Sequence, residues 1–210
     1  MKNWVEWHDA YDMPGSALAV RLEIVVGHVA DAVTSRAPGA VRLVSMCAGQ
    51  GRDVAGALDG HPRRGDVTGR LVELDPANAA VARRLVAGTA LQVLEGDAGH
   101  SGAYEGAVPA DVVLACGVFG NVADEDIRGT VAALPELCAD GARVVWTRHR
   151  RAPDVTVDIR RWFAEAGFRE LAFDAPDGLE IGVGVHELAV PPRPWSGGRR
   201  LFTFVRVPRS

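Results

Sequence analysis

Val41-Arg42-Leu43-Val44-Ser45-Met46-Cys47-Ala48-Gly49-Gln50-Gly51-Arg52-Asp53 is the stretch on which the fold turns. Its first half, Val41 to Met46, reads as apolar on both faces, as a strand in the middle of a parallel sheet must be. Its second half is a short glycine-containing turn that leads directly into a helix over Asp53 to Leu58. A strand, a glycine turn and a helix in immediate succession open a βαβ unit, and in an open α/β sheet ligands bind outside the carboxyl ends of the strands.

Downstream, the pattern repeats. Strands are expected at Gly69–Leu74, Leu91–Leu94, Asp111–Ala115 and Ala142–Thr147, and helices at Pro76–Val86, Asp124–Cys138 and Val157–Ala166, the last closed by Gly167. Asp75 precedes Pro76 as an N-cap followed by proline at the first helical position. After Phe168 only strand signals remain, in Glu170–Phe173, Glu180–Leu188 and Leu201–Val207, with a Pro/Gly-rich turn from Pro191 to Gly198. Upstream, Leu18, Leu22, Val25, Val26, Val29 and Val33 lay one apolar stripe along a helix over Pro14 to Ser35. Ala37-Pro38-Gly39 stops it. Alternation followed by a terminal hairpin predicts a doubly wound, mostly parallel sheet with an antiparallel edge.

The 210 residues suit one compact domain, read as an N-terminal lid and helix over 1–36 and a ligand-binding body over 37–210. A net charge of −4 offers no field for a polyanion, which disfavours nucleic acid as a partner. Cys47, Cys116 and Cys138 are widely spaced and form no short pair, so a reducing cytoplasm is expected and a zinc or disulfide framework is not. His61, His100, Asp97 and Asp111 lack metal-ligand spacing. No stretch approaches membrane-spanning length, and the N-terminus lacks the basic start and apolar run of a secretion signal.

Three successive strand ends carry groups that a nucleoside needs. The first offers Gly49 and Gly51, where the backbone can approach a ligand, although two glycines alone also serve a tight turn. The second ends in Glu73-Leu74-Asp75-Pro76, and Glu73 follows Gly51 by 22 residues, within the range of a ribose-binding acid. A carboxylate there accepts from both ribose hydroxyls. The third ends in Glu95-Gly96-Asp97-Ala98, where Asp97 could accept from an exocyclic adenine amine.

With these residues in view, the chain resembles the class I S-adenosylmethionine-dependent methyltransferases over about Val41 to Val207. The resemblance implies a Rossmann-like fold, a seven-stranded mostly parallel sheet with an antiparallel C-terminal hairpin, and S-adenosyl-L-methionine as cofactor. That family's acidic-x-G-x-G-x-G motif maps its last two glycines to Gly49 and Gly51, its ribose acid to Glu73 and its adenine acid to Asp97. Ser45 stands where the first acid is expected and Cys47 where the first glycine is, so Arg52, Asp53 or an N-terminal residue is expected to substitute. Ala48, Leu74, Gly96 and Ala98 complete the cofactor-binding set. Cys116, Gly117 and Asn121, after the fourth strand, are expected beside the methionine moiety; on their own, Cys116 reads as a small buried hydrophobe and Asn121 as a helix cap.

Methyl transfer needs alignment and exclusion of water, and it needs a base only when the acceptor arrives protonated. The candidates are His149, Tyr11 and His8, with His186 behind them, and Asp9 or Arg148 could bind a charged acceptor group. Trp4, Trp7, His8, Tyr11 and Met13 read either as a lid or as a plain hydrophobic cover. The expected partner is a small-molecule acceptor methylated on oxygen or nitrogen, and the expected assembly a monomer or homodimer. Two alternatives stay open: another reaction of the same cofactor, such as cyclisation of its aminobutyrate arm, and binding without turnover.

Overall fold

The computed structural model describes residues 15–205 together with Tyr11 and Met13. The expectations placed on Trp4, Trp7, His8 and Asp9 lie outside the described residues.

In chain order the elements are α1 (Ala17–Ser35), β1 (Val41–Ser45), α2 (Arg52–Leu58), β2 (Val67–Glu73), α3 (Pro76–Leu85), β3 (Ala90–Glu95), β4 (Ala110–Ala115), α4 (Asp124–Ala133), β5 (Cys138–His149), α5 (Thr156–Glu165), β6 (Phe168–Asp174) and β7 (Ile181–Leu188). The strands form one sheet in the order β3-β2-β1-β4-β5-β7-β6. The pairs β1–β2, β1–β4, β2–β3 and β4–β5 are parallel, and β7 runs antiparallel to both β5 and β6. The chain thus starts in the middle at β1, winds outward to β3, then crosses to the other side of β1 to lay down β4. Connections diverge beside β1, which opens a crevice at its carboxyl end.

Each face of the sheet has its own core. On one, α1 buries Val25, Val29 and Val33 over Leu43, Leu114, Val145 and Val183, and Ser16 caps the helix by accepting from Ala19 N at 3.0 Å. On the other, Ile127 of α4 and Phe163 of α5 close over Val44, Val113, Val144 and Trp146. Trp146 lies flat across the neighbouring strand. A Cβ at Gly184 would stand 2.3 Å from its ring, so only glycine leaves the room it needs.

The structure departs from the expected elements at two places. The helix expected to reach Cys138 ends at Ala133 and passes into a 3-10 turn over Leu134–Glu136, because Pro135 cannot donate the next helical hydrogen bond; Cys138 already belongs to β5. Of the strand expected over Leu201–Val207, the described residues 201–205 do not join the sheet. The antiparallel hairpin is β6–β7, and the described part of that segment makes only isolated bridges, His100 with Arg200 and Val122 with Phe204. Its place is explained by a gap in the helical layer. The β3–β4 connection carries only a 3-10 turn, Ser101–Tyr104, and the adjacent residues Leu201 and Phe202, both buried, fill the space that a crossover helix would otherwise cover.

Candidate functional site

The β1–α2 turn is built from left-handed residues. Cys47, Gly49 and Gly51 have φ of 52°, 57° and 68°. Gly51 is also sterically required, since a Cβ there would meet Leu71 Cδ2 at 3.0 Å and Ala82 Cβ at 3.4 Å. Cys47 pays a conformational cost that the family's glycine would avoid. The turn is stitched to its neighbours by Met46 N to Leu114 O and Ala48 N to Val72 O, both 2.9 Å.

Glu73, at the end of β2, is buried and carries two hydrogen bonds. Its Oε2 accepts from Gly49 N at 2.7 Å and its Oε1 from Asp75 N at 2.8 Å. The first ties the acid directly to the glycine turn of β1. Asp75 caps α3, accepting from Ala77 N at 2.9 Å and Asn78 N at 3.0 Å. Between them Leu74 is 67% exposed, an apolar side chain left open to solvent beside a buried carboxylate. Gly96 N donates to Glu73 O at 2.9 Å, which brings the end of β3 alongside. Asp97 follows, with Oδ1 accepting from Gly99 N at 2.8 Å and Oδ2 lying 2.5 Å from Arg200 Nη1. Partial burial pushes this carboxyl up, but Arg200 and the Gly99 N–H outweigh it and hold it below its ordinary value. The Cys47 thiol sits within electrostatic reach of both acids, and burial raises it well above the ordinary thiol range. Gly49, Glu73, Gly96 and Asp97 therefore converge, linked by backbone and side-chain bonds.

Beyond β1 the surroundings change. Asp53 is half-buried at the start of α2, and the loss of water raises its carboxyl above the ordinary value despite Val54 N and the Arg21 charge. Arg52 Nε donates to Gln50 Oε1 at 2.8 Å. The Tyr11 ring packs against two guanidinium groups, Arg21 at 5.6 Å and Arg52 at 5.8 Å, and its hydroxyl accepts from Arg21. Burial keeps the Tyr11 hydroxyl above its ordinary value, with Asp53 and Cys116 adding to the rise. Cys116 is raised likewise by burial, and its thiol points to Val145 O at 3.8 Å. Gly117 N donates to Thr147 Oγ1 at 2.9 Å, and Asn121 Nδ2 folds back onto Gly117 O at 2.7 Å, closing the β4–α4 loop.

His149 ends β5 next to this loop, its ring 3.7 Å from where a Cβ of Gly120 would stand. Burial and the charges of Arg148 and Arg151 lower its pKa, so the imidazole is neutral at neutral pH. Its Nδ1 is buried with no hydrogen-bond partner among the described residues. Arg148, considered above as a substrate-binding cation, donates to Phe119 O and so serves the same loop. His186 is not at this edge. It pairs with Val144 in mid-strand, stacks on Phe163 at 4.3 Å and accepts from Trp146 Nε1 at 3.1 Å, as a core residue. Arg21, Thr147 and Arg200 carry no local sequence signal as site residues; each arrives through tertiary contact alone.

Neither a protein-family model nor a curated protein matches this chain. Solved structures do. Magnesium protoporphyrin IX methyltransferase from Synechocystis PCC 6803, with bound SAM, superposes at a TM-score of 0.64 and 12% identity, covering 89% of this chain and 91% of that one. Fibrillarin from Aeropyrum pernix, with natively bound S-adenosyl-L-methionine, gives 0.56 and 15%, covering 76% and 74%. The fold is that of the class I S-adenosylmethionine-dependent methyltransferases. The same methyltransferase fold relates it to an O-methyltransferase family protein from Burkholderia thailandensis at 0.57 and 16%, with 85% of this chain and 61% of that one covered. It also relates it to the CurJ carbon methyltransferase at 0.58 and 16%, covering 86% of this chain but 57% of CurJ, so the chain spans less than two thirds of each of these last two. Among the described residues no helix is long and apolar enough to cross a membrane, and no group of three or more His, Cys, Asp or Glu is placed to hold a metal ion.

Proposed function

We propose that this chain binds S-adenosyl-L-methionine at the carboxyl ends of β1, β2 and β3 and transfers its methyl group to an oxygen or nitrogen of a small molecule, releasing S-adenosyl-L-homocysteine. The observation that carries this reading is the bonding among three strand ends, Glu73 Oε2 2.7 Å from Gly49 N and Gly96 N 2.9 Å from Glu73 O, which sets Asp97 beside them. The residues present fit the group. Glu73 would take the ribose hydroxyls, Asp97 the exocyclic amine, and the exposed Leu74 with Ala98 the faces of the base. Arg52, Asp53 and Arg21 would meet the zwitterionic amino-acid end, filling in for the acid absent at Ser45. Cys116, Gly117 and Asn121 would line the methionine side.

The bound cofactor supplies an electrophilic methyl group; the chain's own task is to align the acceptor and exclude water. His149, neutral at physiological pH, is the base we assign for an acceptor that arrives protonated. Tyr11, with its hydroxyl held protonated, orients or donates instead. His8 remains a second candidate base and lies outside the described residues. We assign the chain to the cytoplasm, as a monomer or homodimer acting on a small molecule, with neither nucleic acid nor membrane as partner.

Isothermal titration with S-adenosylmethionine and S-adenosylhomocysteine, followed by product analysis against a panel of hydroxyl and amine acceptors, tests the proposal. Acceptor-dependent release of S-adenosylhomocysteine supports it. Methylthioadenosine as the product would redirect it to cyclisation, tight binding without turnover to a regulatory role, and no binding at all would end it.

A further inference from the structure

Asp97 and Arg200 are 103 residues apart in sequence, yet Arg200 Nη1 lies 2.5 Å from Asp97 Oδ2. The segment that brings Arg200 there is fastened at several points. Leu201 N donates to Gly99 O at 2.8 Å, Ser101 N to Arg199 O at 2.9 Å, Thr130 Oγ1 to Leu201 O at 2.9 Å and Thr203 N to Asp126 Oδ2 at 2.8 Å. Phe202 is buried beneath it. A Cβ at Gly99 would stand 2.4 Å from Phe202 O, so the glycine two residues after Asp97 is what lets the segment pass this closely.

We propose that Arg200 is a positioning residue that holds Asp97 in the one orientation that selects a 6-amino purine over a 6-oxo purine. This rests on the reading of the β1–β3 edge as a nucleoside site. The carboxylate has one anchor on each oxygen, Gly99 N on Oδ1 and Arg200 on Oδ2, and each oxygen keeps lone-pair capacity for a ligand. The side chain is 48% exposed, so a base can reach it. An ionised carboxylate only accepts. It welcomes the N–H of an adenine amine and repels the carbonyl oxygen of hypoxanthine. Held from both sides it cannot swing away from that repulsion; released from Arg200 it can, and the site then tolerates the 6-oxo base.

The test is titration of S-adenosylhomocysteine and S-inosylhomocysteine into the full chain and its variants. The wild type should favour the adenosyl compound, and Arg200→Ala should shrink that preference roughly three- to ten-fold, the scale of one partly exposed charge-assisted contact. The contact uses a single guanidinium nitrogen, so Arg200→Lys should restore most of the preference. Arg199→Ala, which cuts the 2.7 Å ion pair of the same segment to Glu136, should leave it unchanged. In an Asp97→Ala background, Arg200→Ala should have no further effect on the ratio. An unchanged ratio in Arg200→Ala, or an equal change with Asp97 absent, overturns the proposal while leaving the methyltransferase reading standing. A wild type that binds neither compound overturns both.

Discussion

The carboxylates on one side of β1 and the histidines on the other are handled in opposite ways. Glu73 and Asp97 are each met by two ready donors, Gly49 N with Asp75 N and Gly99 N with Arg200. His149 and His186 each keep a buried ring nitrogen with no hydrogen-bond partner among the described residues, the second lying 3.5 Å from Glu170 Oε2. On one side the carboxylates have donors already in place; on the other, loss of water lowers the pKa of one imidazole at a strand end, His149, and of one in the core, His186. A single sheet supplies both environments because β1 separates them.

The sharpest way to break this contrast is at His149. His149→Ala should lower kcat about 10²-fold or more on a hydroxyl or ammonium acceptor and leave S-adenosylhomocysteine affinity unchanged. Because its pKa is depressed, the acidic limb of the wild-type kcat profile should lie below the ordinary histidine value of 6.5, activity rising as the proton leaves. Equal loss of cofactor affinity would place His149 on the wrong side of the comparison.

Glu73 tests the other half. Glu73→Ala strands two backbone N–H groups and should cost about 2–3 kcal/mol in chemical denaturation together with nearly all cofactor affinity. Glu73→Gln keeps an acceptor for one of the two backbone N–H groups but turns an NH2 toward the other, so stability should recover only in part while affinity stays about ten-fold down. Recovery of both would reduce Glu73 to a stitch between β1 and β2.

His186 gives an effect readable without any ligand. Burial, only partly countered by Glu170 and reinforced by Arg160, pushes its pKa down to about 4. Above about pH 6.5 neither folded nor unfolded chain holds that proton, and stability is flat on its account. As pH falls from there toward 4 the unfolded chain takes up the proton and the folded one refuses it, so stability should drop by up to about 3 kcal/mol. His186→Gln, which keeps an acceptor for Trp146 Nε1, should flatten that limb in urea titrations at stepped pH.

The smallest effect concerns the strained turn. Cys47→Gly should be more stable than Cys47→Ala by about 1 kcal/mol, since only glycine adopts its φ of 52° freely. Equal stabilities would mean that the loop relaxes around Cys47.

The amino-acid sequence alone determined the elements whose signals are local. The β1–α2 glycine turn, the Asp75-Pro76 helix start and the succession of strands and helices through α5, broken only between β3 and β4, depend on hydrogen bonds and steric limits within a few residues, so spacing reveals them. The positions of Gly49, Glu73 and Asp97 were legible for the same reason: each lies at or just past the end of a strand. Only the tertiary structure decided what depends on the vacancy or charge of a distant neighbour. The Leu201–Phe202 pair has the composition of a strand but lies over the short β3–β4 connection, because buried area there is worth more to it than a place at a sheet edge. Arg200 on Asp97, Arg21 on Tyr11 and the burial of His186 belong to the same class. Desolvation and ion pairing are set by which surfaces meet in space, and no spacing rule in a chain records that.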